Sequence, residues 1–134
     1  MKNNYSTHQK GFTLIEIIVV VIIIGFVAAF ALPNISYIIE KTKSSEGKQI
    51  LLSLLNAQKV YKLDHDAYAL NVDALDVQIP NSANFSPPAI DINGNLIAAI
   101  QRNTGTYSLE IFDNGTISCV KGSGDSTICQ KIGY

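Results

Sequence analysis

The sequence predicts an α+β fold: one long N-terminal helix packed against a small antiparallel sheet. Three observations point to it. From Phe12 to Leu32 the chain is apolar apart from Glu16. From Asn34 to Leu63 apolar residues recur at helical spacing. Beyond Ile90, short alternating runs are separated by Asn93-Gly94, Asn103-Thr104-Gly105 and Asn114-Gly115, the residues of tight turns.

Residues 1–11 are polar and carry Lys2 and Lys10. The apolar run that follows would be about 31 Å long as a helix, enough to cross the hydrocarbon core of a bilayer. A carboxylate near the centre of such a segment costs roughly 2.5 kcal/mol or more, so Glu16 requires an explanation. An ordinary secretory signal, with Ala29-Phe30-Ala31 as its cleavage site, fits poorly. The run is too long for that reading, it contains Glu16, and Pro33 would sit just past the cut. A plain uncleaved anchor also leaves Glu16 unexplained. A buried helix fits worse, because nothing later in the chain would cover it on all sides.

The helical pattern continues to about Leu63, near 75 Å in all. Pro33 lacks an N–H and crowds the carbonyl of Ala29, and Gly25 weakens the helix, so a break is expected over Gly25–Pro33. Between Asn34 and Leu63, Ile35, Ile39, Ile50, Leu54, Ala57, Val60 and Tyr61 share one face, expected to pack on the sheet in its lower turns. Leu51, Leu52 and Leu55 fall opposite, among Lys48, Lys59 and Lys62, and are expected to need cover from a partner. Asp64-His65-Asp66 reads as a solvated helix end.

Pro80, Pro87 and Pro88 punctuate a loop over Asn71–Pro88, with one helical turn around Val72–Leu75. Strands are expected at Ile90–Ile92, Leu96–Arg102, Thr106–Phe112 and Thr116–Val120. Tyr107, Leu109 and Ile111 alternate with Ser108 and Glu110, giving one buried and one wet face. Asn114-Gly115-Thr116 and Asn84-Phe85-Ser86 match glycosylation triplets, but the first reads better as a turn whose Asn-Gly supplies positive φ angles.

The 134 residues allow one small globular domain beyond the apolar segment. Without Lys2 and Lys10, eight of the ten basic residues face eleven acidic ones, which argues against binding nucleic acid through overall charge. No phosphate-cradling glycine loop, metal-ligand spacing or nucleophile–histidine pair is present, so neither an enzyme nor a cofactor is expected. Cys119 and Cys129 are two thiols without two further ligands nearby, since His8 and His65 lie far off in sequence.

Lys10-Gly11-Phe12-Thr13-Leu14-Ile15-Glu16-Ile17, with Gly25 and Pro33, strongly resembles the processing site of type IV pilins and pseudopilins. The resemblance is specific from Gly11 to Pro33 and weaker to about Tyr68. Ala67 and Ala69 stand where the family usually has glycine and proline, which blurs any subfamily.

The resemblance implies the pilin fold, divided as a leader 1–11, a membrane or filament-core helix 12–33, an amphipathic helix 34–63 and a globular part 64–134. It implies cleavage between Gly11 and Phe12 and N-methylation of Phe12 by a prepilin peptidase and methyltransferase. Glu16 of one subunit would pair with the Phe12 ammonium of another, setting the stagger of a homo-oligomeric helical filament. The alternative is that Glu16 merely reaches the membrane face, favoured by the helix N-terminus. Other implied partners are the membrane, an inner-membrane assembly platform and other pilins; no specific nucleic acid is implied. The subunit would sit in the inner membrane with one pass, then in an extracellular pilus serving adhesion, motility or DNA uptake. A periplasmic secretion pseudopilus and a minor tip pilin acting as a binding module are the alternatives. In an exported domain Cys119 and Cys129 are expected to form a disulfide, with two free buried thiols as the other reading. No metal is implied.

Overall fold

The computed structural model describes residues 11–134, and of residues 31–34 the backbone alone. The expected leader up to Lys10 lies outside the described residues. The elements are α1 (Leu14–His65), a 3-10 turn (Val72–Ala74), β1 (Ala89–Asn93), β2 (Leu96–Gln101), β3 (Tyr107–Phe112), β4 (Ile117–Lys121) and α2 (Ile128–Ile132). This is the α+β arrangement that the sequence predicts. It divides into two compact units, one ending at Ile35 and one from Ser36 to Tyr134.

In the first unit the large apolar side chains between Leu14 and Phe30 are exposed, Leu14 and Phe26 among them. Among the described residues no single helix is long and apolar enough to cross a membrane; Leu14–Phe30 taken together with Ile35–His65 passes by length and composition.

In the second unit the sheet is an antiparallel meander of order β1-β2-β3-β4. Each connection is short because each turn has its residue. Gly94 has φ +61° at the first position of the two-residue β1–β2 turn. At the β3–β4 turn Gly115, φ +84°, donates its N–H to Phe112 O, the three-residue turn with a left-handed glycine. Only the glycines adopt positive φ in these turns, not the asparagines before them as expected.

Tyr107, Leu109 and Ile111 of β3 are fully buried, with Ile97, Ala98 and Ile100 of β2 beside them. They form one core with Ile50, Leu51, Leu54 and Leu55 of α1. The expected helix face therefore needs correction. Leu51 and Leu55 lie inside the core, whereas Val60, in the turns expected to meet the sheet, is exposed. The buried stripe runs Ser44, Gly47, Leu51, Leu54 and Gln58, at spacings of three and four. Gly47 centres the stripe: a Cβ there would come within 2.9 Å of the Phe85 ring and 3.1 Å of Leu109. Of the three leucines assigned to a partner, Leu52 alone is exposed.

The helix end is tied back by a buried side-chain amide. Gln58 accepts from Ala69 N–H at 2.8 Å and donates to Ala69 O at 2.9 Å, imitating a strand pair. Asp66, at φ +56°, turns the chain out of α1.

Candidate functional site

The sequence-predicted functional residues gather at the start of α1. Thr13 precedes the first helical residue and Glu16 is the third within the helix. Glu16 Oε2 accepts from Thr13 N–H at 2.8 Å and from the Thr13 hydroxyl at 2.7 Å. Thr13 Oγ1 in turn accepts from Glu16 N–H at 3.3 Å. This is a capping box: two N–H groups that the helix cannot satisfy itself are satisfied reciprocally. Ile17 N–H closes the first turn onto Thr13 O.

The box fixes one oxygen and leaves the other. Among the described residues Glu16 Oε1 has no hydrogen-bond partner. Phe12, just outside the helix, is 86% exposed. Gly11 has nothing within 4 Å of where a Cβ would stand. In the sequence Thr13 is one residue of the motif, and the Thr-x-x-Glu spacing is the signal that gives it a capping role.

Gly25 lies within α1 with open space beside it. Pro33 falls among the residues described by backbone alone.

The cysteines lie at the other end of the chain. Cys119 of β4 and Cys129 of α2 are joined by a disulfide, their Cα atoms 5.6 Å apart. Sequence reasoning missed α2, whose five residues are too few to show a period. It is held from outside. Asp125 accepts from Thr127 N–H at 2.8 Å and from Lys131 Nζ at 2.7 Å. Lys131 also donates to the Tyr37 hydroxyl on α1 at 2.8 Å. Lys131 and Thr127 hold the Asp125 carboxyl well below its usual range.

A second polar cluster was also missed. Arg102, 6% exposed, donates through Nε to Glu40 at 2.6 Å and through its guanidinium to Asn84 O. The Tyr107 hydroxyl donates to the same Glu40 oxygen at 3.2 Å, and Asn84 Nδ2 donates to Glu46 at 2.8 Å. Burial raises the Tyr107 pKa, helped by the Glu40 charge. These contacts clamp α1, the loop before β1 and the start of β3 together. Among the described residues there is no group of three or more His, Cys, Asp or Glu placed to hold a metal ion.

The model of the prokaryotic N-terminal methylation motif matches residues 6–32. A type II secretion system core protein G of Vibrio cholerae is 35% identical over 79 residues, 59% of this chain and 54% of that protein. A type IV major pilin protein of Neisseria gonorrhoeae is 29% identical over 117 residues, 87% of this chain and 66% of that one. A fimbrial protein of Dichelobacter nodosus is 33% identical over 122 residues, 91% and 64% respectively. The chain thus spans about half to two thirds of the length of these relatives. No solved structure matches significantly. Motif, fold and relatives together place the chain in the family of type IV pilins and type II secretion pseudopilins.

Proposed function

We propose that this chain is the structural subunit of a type IV pilus-like filament, made as a membrane-anchored precursor and assembled after its leader is removed. One observation carries the reading: an apolar helix with its side chains exposed from Leu14 to Phe30, opened by Gly11-Phe12 and bearing a capped Glu16. Such a surface is stable in only two settings, among lipid chains or among other helices like itself. A precursor in the inner membrane and a subunit in a filament core are those two settings.

The first step is cleavage between Gly11 and Phe12 by a prepilin peptidase, followed by methylation of the new Phe12 amine. Assembly then uses that amine. With Oε2 of Glu16 held by Thr13, Oε1 is free to accept from a neighbour's ammonium. Either charge alone in an apolar core is costly, so the pair penalises wrong registers even where its net contribution is small. Gly25 and Pro33 supply weak points in the helix between them. The role is structural, and the proposed partners are further copies, the peptidase and an assembly platform in the inner membrane.

The two long alignments favour a pilus over a secretion pseudopilus: the Neisseria gonorrhoeae pilin and the Dichelobacter nodosus fimbrial protein align over 87% and 91% of this chain, the Vibrio cholerae secretion protein over 59%. Shearing the source cells tests the proposal: filaments should appear by electron microscopy, with this chain as their most abundant protein by mass spectrometry. Its absence from sheared filaments, with the protein retained in the envelope, would reject the pilus reading.

A further inference from the structure

Asn93 and Asn114 are each followed by glycine and both are exposed: Asn93 ends β1 where the β1–β2 turn begins, and Asn114 lies in the β3–β4 turn. By sequence they are equivalent; by geometry they are not. At the β3–β4 turn Asn114 Oδ1 accepts from Thr116 N–H at 2.8 Å, and Gly115 N–H donates to Phe112 O at 2.9 Å. Both the side-chain amide and the following backbone nitrogen are occupied. At the β1–β2 turn neither the Asn93 side chain nor Gly94 N–H has a hydrogen-bond partner among the described residues. Asn93 and Gly94 are both exposed, so solvent base can reach the Gly94 N–H.

We propose that Asn93 is a site of spontaneous deamidation in the folded protein and that the β3–β4 turn protects Asn114 from the same reaction. The backbone nitrogen of Gly94 loses its proton and attacks Cγ of Asn93. The new C–N bond closes a five-membered succinimide, and the side-chain nitrogen leaves as ammonia. Water then opens the ring at either carbonyl, giving aspartate or isoaspartate. The sum is asparagine plus water to acid plus ammonia, with no oxidant or cofactor. At Asn114 the same attack must first break two hydrogen bonds, which slows it by roughly tenfold or more.

The product has a defined place in the fold. β1 is an edge strand, and a carboxylate at position 93 joins Asp91 on it. Added charge on an unpaired edge opposes pairing with another strand. The modification therefore accumulates with age where it changes the surface and leaves the core intact.

The test is to hold the full chain, folded in mild detergent, in mildly alkaline buffer and to map its peptides over time. Mass spectrometry reads the exchange of NH for O, and fragmentation separates isoaspartate from aspartate. Asn93 should convert at least roughly tenfold faster than Asn114, with isoaspartate present. In the reduced, denatured chain the two rates should converge. Equal rates in the folded protein, or faster conversion at Asn114, would overturn the proposal. So would an unchanged ratio after denaturation, since neighbouring sequence and not the fold would then set the selectivity.

Discussion

At Glu16 the two oxygens of one carboxylate stand in different circumstances. Oε2 closes the capping box with Thr13, and Oε1 is open. The proposed pairing with a neighbour's Phe12 therefore need not dismantle the helix start. Glu16→Val should leave membrane insertion intact or improved, because a charge leaves an apolar segment. Assembly should fail, because the neighbour's ammonium would enter the core alone. Thr13→Val removes the hydroxyl but keeps the carboxylate, and should weaken the helix start by about 1 kcal/mol while filaments still form. Filament counts for the two variants check this. Normal filaments from Glu16→Val would support the membrane-face reading instead.

Glu40 is the other informative residue. Burial favours its protonated form, but the Arg102 guanidinium and the Tyr107 hydroxyl outweigh burial and hold the carboxyl below its ordinary range. A carboxyl whose pKa is lower in the folded state adds stability that is fully present above the unfolded value, near about 4.3. That stability is lost as the pH falls through the folded value. The urea midpoint of the globular unit should drop on acidification, and drop less in Glu40→Gln. Arg102→Ala, which leaves Glu40 half-buried without its main cation, should cost roughly 2–4 kcal/mol near neutral pH. A Glu40→Gln titration identical to that of the parent would contradict this account.

At the scale of elements, α1 separates what composition indicates from what packing decides. A helix was legible because a continuous apolar run from Phe12 to Leu32 leads into apolar residues at helical spacing as far as Leu63. Its buried face was not, because apolar residues flank the stripe on both sides. Gly47, with no side chain, marks where the sheet comes nearest. Leu51→Ala should destabilise the globular unit by about 2–5 kcal/mol, and neighbouring Leu52→Ala by less than about 1. Denaturant melts of the two variants decide the matter, and equal losses would return Leu51 to the surface. The hairpins were legible because Asn-Gly turns are local chemistry. Short α2 was not, because a disulfide, an ion pair and α1 hold it rather than its own propensity.

At the scale of the whole molecule, the start of the chain was legible far beyond what its fold alone would give. In the proposed function Gly11, Phe12 and Glu16 would be read by a peptidase and by neighbouring subunits, and they lie within six consecutive residues, so the motif is legible without the fold. The Glu40–Arg102 clamp was illegible for the opposite reason. Its members are 62 residues apart, and only the finished fold brings them together. The molecule thus has a globular unit closed by long-range contacts and an apolar helical stretch whose large side chains from Leu14 to Phe30 are exposed among the described residues. In the proposed function lipid first and neighbouring helices later would supply cover for them, and the switch between the two would depend on a new amino terminus at Phe12. The intact mass of the protein recovered from filaments tests this most directly. The account predicts a chain that begins at Phe12 and carries one added methyl group. A chain that still begins at Met1, or that begins at Leu32 after the Ala29-Phe30-Ala31 site, would contradict it.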